Sequence, residues 1–197
     1  MDFSSALPAN LLQRTFGRRD LVPLRQDCLW RIEAGVVRTL TWNQEGTPST
    51  LGIWGPGDLI GKPLSRVNPY QIECLTHVEV SILPVHLWYQ VLDALLLHVQ
   101  QAEEILSIVQ CKRVPLGLLQ LLVWLAQKFG REVERGQQID LSLTHQELAE
   151  LIGTTRVTVT RLLNQFEHEG IICRRRHHLT LLGNRRHLCS TSLSVKL

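Results

Sequence analysis

Residues 143–172, LTHQELAELIGTTRVTVTRLLNQFEHEGII, constrain this chain more than any other stretch. Thr144 followed three residues later by Glu147 is the reciprocal capping box of a helix start. Leu148, Ala149 and Ile152 then form a short apolar stripe, with Ala149 small enough for another helix to cross closely. Gly153 comes where a chain leaving a helix needs positive φ. Thr154 or Thr155 caps a second helix, in which Val159, Leu162, Leu163 and Phe166 recur at i, i+3, i+4 and i+7. Two amphipathic helices joined by a glycine turn make a helix-turn-helix, a motif that sets its second helix in the DNA major groove.

The face opposite that second stripe carries Arg156, Val157, Thr160, Arg161 and Asn164. Arg156 lies in the first turn, where an arginine can bond bidentately to guanine O6 and N7. Val157 suits a thymine methyl, and Arg161 a second base or a phosphate. Thr144, Thr154, Thr155, Thr158 and Thr160 are candidate backbone contacts, hydroxyls being suited to phosphate oxygens. Beyond Gly170, Ile171 to Cys173 and Leu179 to Leu182 read as strands flanking a basic tip of Arg174, Arg175, Arg176, His177 and His178. Such a wing would grip phosphates beside the recognition helix. Charge agrees: residues 137–197 hold 8 Lys+Arg against 5 Asp+Glu, and the whole excess of +3 in the chain lies there.

The 197 residues suffice for one large core or two small ones, with 44% hydrophobic and 20% charged residues as in ordinary globular chains. The N-terminus lacks a basic start followed by an apolar run, so no signal peptide is expected. The most apolar stretch, 114–126, is interrupted by Pro115, Gly117 and Gln120 and is too short to span a bilayer. A cytoplasmic protein without membrane contact is expected. Five scattered cysteines, with no C-x-x-C pair, predict reduced thiols. Cys173, His177, His187 and Cys189 lack tight paired spacing, so no metal is expected.

From Leu21 to about Leu83 short apolar runs alternate with turn residues. Leu29–Ile32, Val36–Trp42, Ser49–Trp54, Gln71–Leu75 and Val78–Leu83 read as strands of an antiparallel barrel or sandwich, with Trp30, Trp42 and Trp54 at its core or rim. After Pro84 a helix runs to about Val109. In it Leu95, Val99, Ala102, Leu106 and Val109 recur at spacings of 4 and 3, the seam of a two-stranded coiled coil, while Leu92, Leu96 and Ile105 are expected to pack inward. Pro115 ends that helix near Arg113 and opens another, Leu116 to Phe129, closed by Gly130. The domains read as 1–88, a β-roll; 89–114, a dimerisation helix; and 115–197, a winged helix-turn-helix. A homodimer is expected, because one short recognition helix reads too few base pairs to be selective.

This order of parts, with LTHQELAELIGTTRVTVTRLLNQFEHEGII and the weaker LWRIEAGVVR and LGIWGPGDLIG, resembles the CRP/FNR family of bacterial transcription regulators over nearly the whole chain. The run TRVTVTRLL is most similar to the NtcA branch, the cyanobacterial nitrogen-control regulators. The resemblance implies an α+β fold: an N-terminal antiparallel β-roll of cyclic-nucleotide-binding type, a long central dimerisation helix and a C-terminal winged helix-turn-helix. It implies that Arg156, Val157 and Arg161 face bases, with a half-site of GTA type, and that the charged loop 131–138 touches RNA polymerase. It also implies an effector loop, GDLIGKPLSRVNPYQIEC, where cyclic-nucleotide binders have a glycine–glutamate pair and a later arginine. Here Gly61 is followed by Lys62, and Arg66 is the nearby arginine, so cyclic AMP is not expected and the effector is left unnamed. Any effector would act on the orientation of the DNA-binding helices about the Cys111–Val114 hinge. An enzyme is not expected: the chain has no P-loop, G-x-S-x-G, H-E-x-x-H or dinucleotide fingerprint. The functional reading is a sequence-specific, DNA-binding transcription regulator acting as a homodimer on a palindromic promoter site. The alternative is a winged-helix protein-interaction module with a degenerate sensor domain.

Overall fold

The computed structural model describes residues 11–175 and 178–182. The chain divides into two compact units, 1–106 and 107–197, and the division lies inside one long helix.

In the first unit the apolar runs become β2 (Cys28–Ala34), β3 (Val37–Trp42), β4 (Pro48–Trp54), β6 (Gln71–Cys74) and β7 (Val78–Pro84). Between and before them lie β1 (Gln13–Phe16) and the two-residue β5 (Leu59–Ile60), neither expected from sequence. The strands pair antiparallel in the orders β1-β7-β2-β5 and β4-β3-β6. β1 escapes a hydrophobic reading because its side chains are mostly exposed; it is held by pairing to β7. Gly35 reverses the chain between β2 and β3 at φ 85°, and a Cβ there would stand 2.1 Å from the His77 carbonyl oxygen, so only glycine fits.

Strand alternation sorts the apolar residues into separate clusters. Cys28, Trp30 and Ile32 of β2 join Val37, Trp54, Ile60, Ile72, Cys74, Val78 and Val80 in the core of the β-domain. Leu29, pointing the other way, joins Leu59, Leu83 and Val91, against which Leu87, Trp88, Ala94 and Leu95 pack. The indole N–H groups are satisfied: Trp30 donates to Pro23 O and Trp54 to Thr39 Oγ1. A charged cross-strand pair accompanies them. Arg38 and Glu73 face each other in the β3–β6 register, Nε to Oε2 at 2.6 Å, and Arg19 reaches Oε1 at 3.1 Å. With both oxygens bonded, the Glu73 carboxylate tolerates its near-complete burial.

A 3-10 turn at Val85–Val91 leads into α1 (Leu92–Val109). At about 100° per residue, Ala94, His98, Gln101 and Ile105 share one side of α1, and Leu92, Leu96, Val99 and Leu106 share the other. The first side packs. The His98 ring stacks on Trp54 with centroids 4.0 Å apart, its Nδ1 lies 3.1 Å from Leu59 O, Gln101 donates to Asp58 Oδ1, and Ile105 is buried. The second side is open: Leu92, Leu96, Val99 and Leu106 are all more than half exposed. The residues of the expected seam are placed unevenly on this helix. Leu95 is half-buried against Leu29, Leu59, Leu83 and Val91, whereas Leu92 and Leu96, expected to pack inward, are exposed. Val99, Ala102, Leu106 and Val109 are exposed. A spacing of 4 and 3 fixes a stripe but not its phase, and Leu92-Leu96-Val99 obeys it equally well.

The second unit is helical with one sheet. α2 (Val114–Phe129) has Pro115 in its first turn and packs on α3 (His145–Ile152) and the sheet; α4 (Arg156–His168) packs on α3. The sheet joins β8 (Gly130–Val133), β9 (Gly136–Ile139), β10 (Ile172–Arg175) and β11 (His178–Leu182) in the antiparallel order β10-β11-β9-β8. Residues 131–138 are therefore a hairpin extending the wing sheet, not a free loop. The charged pattern hid it, because β8 is largely exposed and is fixed by backbone pairing.

Candidate nucleic-acid interface

Local chemistry fixes the two helices. Thr144 Oγ1 accepts from Glu147 N at 3.1 Å while Glu147 Oε2 accepts from Thr144 N at 2.7 Å, the reciprocal capping box. Gly153 ends α3 in the left-handed region at φ 65°, ψ 42°. Thr155 caps α4, its Oγ1 accepting from Thr158 N at 3.2 Å. Leu148, Ala149 and Leu151 of α3 and Val159, Leu162, Leu163 and Phe166 of α4 are buried, so each helix is anchored by one face.

The opposite face of α4 is open. Arg156, Arg161 and Asn164 are exposed, and Val157 is 77% exposed, the most exposed large apolar side chain among the described residues. Neither the Arg156 nor the Arg161 side chain forms a hydrogen bond or ion pair with a described residue. Two guanidinium groups with no partner among the described residues share this open side of α4 with a bare isopropyl group, giving a surface with cation, donor and methyl-contact capacity, which matches the edges of base pairs and phosphates.

Other candidates are placed differently. Thr160 Oγ1 donates to Arg156 O at 2.9 Å and meets His145 Nδ1 at 2.8 Å, so this hydroxyl bridges α4 to α3 and is not open to a phosphate. Thr144, Thr155 and Thr158 are engaged in caps, Thr155 and Thr158 sharing a hydroxyl contact of 3.0 Å. Thr154 is half-buried in the turn, its amide bonded to Ala149 O. Arg174, expected at the wing tip, is a β10 residue paired in register with Leu179. Its guanidinium bonds Glu167 Oε2 at 2.6 Å and Asn164 Oδ1 at 2.7 Å. Those bonds hold the Glu167 carboxyl below its usual range. Arg174 thus ties the wing to α4, while Arg175 is an exposed strand residue facing His178. Arg176 and His177, with His187 and Cys189, lie outside the described residues.

His145 was not singled out by sequence. It opens α3 half-buried, and burial first, then the charges of Arg174 and Arg156, hold its protonation below the ordinary imidazole range. Its only sequence signal is an imidazole next to a helix cap, too common to read alone.

The expected effector loop is a tight turn. Gly61 is buried, Lys62 Nζ donates to Val67 O at 2.9 Å and sits over the Tyr70 ring at 5.5 Å, and Arg66 is exposed. The Lys62 cation is therefore engaged within its own loop. No helix among the described residues is long and apolar enough to cross a membrane.

Comparison with known proteins agrees with this geometry. Residues 118–190 match the Crp-like helix-turn-helix domain. The regulatory protein CysR of Synechococcus elongatus is 45% identical over 167 residues, 81% of this chain and 78% of that protein. The chain belongs to the CRP/FNR family. A global nitrogen regulator of Nostoc is 30% identical over 147 residues, covering 75% of this CRP/FNR chain and 61% of the relative. The fold is shared with a CRP-family transcriptional regulator of Thermus thermophilus, TM-score 0.76 at 22% identity, covering 92% of this chain and 97% of the other. This CRP/FNR member is a DNA-binding transcription regulator with the α+β architecture of its relatives.

Proposed function

We propose that this regulator binds promoter DNA as a homodimer, with the α4 helix of each copy entering one major groove of an inverted-repeat site. Arg156 reads a guanine, Val157 contacts a thymine methyl, and Arg161 reaches a second base or phosphate. Arg175 lies along the backbone, and Arg174 positions the wing instead of gripping phosphate. The open stripe Leu92, Leu96, Val99 and Leu106 joins the two copies, setting the recognition helices about 34 Å apart, one turn of the duplex. The β8–β9 hairpin offers its charged turn to RNA polymerase. Cyclic AMP does not control the protein, since Lys62 is bound within its own loop and no glutamate follows Gly61.

The carrying observation is that Arg156 and Arg161, neither with a side-chain partner among the described residues, share the open side of α4 with a 77% exposed valine. A salt series tests it. Affinity for an operator duplex should fall steeply with salt, and Arg156→Ala should lose selectivity for the operator while keeping non-specific binding. Equal selectivity of variant and wild type would remove Arg156 from the base-reading set.

A further inference from the structure

Thr160 has one hydroxyl proton and two neighbours that want it. Its Oγ1 donates to Arg156 O at 2.9 Å and lies 2.8 Å from His145 Nδ1. Both contacts hold together only when the imidazole supplies the second proton, so His145 carries hydrogen on Nδ1 and donates to Thr160. In the neutral ring Nε2 is then a bare lone pair, and it has no hydrogen bond among the described residues.

Among the described residues two charges act on this ring. Arg156 approaches from α4 and Arg174 from β10. The Arg174 charge is partly matched by Glu167. On α3 itself the Glu147 carboxylate accepts from Thr144 N and caps the helix. In the free protein burial and these arginines keep the ring neutral near pH 7, presenting a lone pair that would repel a phosphate oxygen.

We propose that His145 is a phosphate ligand of the bound duplex, its Nε2 donating to a phosphate oxygen after taking a proton from solvent. The inference rests on reading the Arg156 face as the surface that meets DNA. A duplex carries about one negative charge per 1.7 Å of its axis. Laid on this face, it offsets the arginines and favours the cation, while the Thr160 bond keeps the ring from turning away. The linkage has a definite sign. The phosphate raises the bound-state pKa above the depressed free-state one, so affinity increases as pH falls through the window between them. It levels off below that window. Each copy contributes at most about tenfold per pH unit within it.

The test compares wild type, His145→Gln and His145→Arg on a duplex of about 30 base pairs bearing inverted GTA half-sites with centres one helical turn apart. Affinity is measured by fluorescence anisotropy at low, constant ionic strength, at about pH 8, 7 and 6 across the imidazole range. Wild type should tighten on acidification by about tenfold more than His145→Gln. His145→Arg should bind more tightly than wild type at the highest pH. Equal pH slopes for wild type and His145→Gln overturn the role of His145 while leaving the DNA reading intact; wild type that binds the duplex at no pH overturns both. A readout free of mutation is nitrogen-15 NMR of the ring. Wild type should show Nδ1–H with an unprotonated Nε2 alone and an imidazolium with duplex at pH near 7, and a ring that stays neutral in the complex overturns the proposal.

Discussion

Leu96→Ala separates the two phases that α1 could present to a partner. Leu96 is 63% exposed, on the side of the helix opposite His98 and Ile105. Complete burial of a leucine side chain is worth about 1.5–3 kcal/mol, so covering the exposed portion contributes about 1–2 kcal/mol per copy. Two-fold symmetry counts it twice, about 2–4 kcal/mol per dimer. At about 1.4 kcal/mol per tenfold, Leu96→Ala should raise the dimer dissociation constant by about 30- to 700-fold. Leu95→Ala should do something else. It opens a gap beside Leu29, Leu59, Leu83 and Val91, costing about 2–3 kcal/mol of folding stability with a smaller effect on association. Sedimentation equilibrium over a concentration series gives the first quantity and urea unfolding the second. If Leu95→Ala yields monomers and Leu96→Ala leaves the dimer intact, the seam lies on the other phase and the assignment is wrong.

Further consequences follow from single contacts. Glu103 falls between Val99 and Leu106 on the open stripe, where a charge weakens a helix seam; Glu103→Leu should therefore tighten the dimer, seen as a lower dissociation constant. Glu73→Ala removes the carboxylate ion-paired to the buried Arg38 guanidinium and should cost about 3–5 kcal/mol in denaturant unfolding; a loss below about 1 kcal/mol would mean the pair is solvated. Burial pushes the Cys74 thiol up to about 11 and also raises Cys28, so iodoacetamide near pH 8 should label the more accessible Cys111 and Cys173 first, read by mass spectrometry of the labelled peptides. Arg174→Ala should loosen the wing and weaken operator and non-specific binding alike, in contrast to the selectivity loss of Arg156→Ala.

Where a single physical rule decides an element, the amino-acid order is readable. The Thr144–Glu147 box and Gly153 at positive φ are local and legible from sequence, and the second cap is legible to within Thr154 or Thr155, of which Thr155 takes the role. So were β2, β3, β4, β6 and β7, whose apolar runs fill the β-domain core, and so was the exposure of Val157, which breaks the polar pattern of its face. Elements held by backbone pairing under exposed side chains were not legible: β1, β8 and β9 carry no apolar alternation strong enough to mark them. The phase of the α1 seam was unreadable for a different reason. Leu92, Leu95 and Leu96 are chemically alike, and what sends Leu95 inward is the position of Leu29, Leu59 and Leu83 on another element. Arg174, Arg156 and Arg161 likewise look equivalent in the chain. Only the approach of Glu167 and Asn164 distinguishes the structural arginine from the two left open.

Guanine-N7 methylation interference on a bound operator probes the major-groove atom that Arg156 is held to contact. Interference is expected at a guanine in each of two half-sites about 10 base pairs apart, present with wild type and abolished in Arg156→Ala. Interference confined to one half-site, absent altogether, or unchanged in the variant would contradict it.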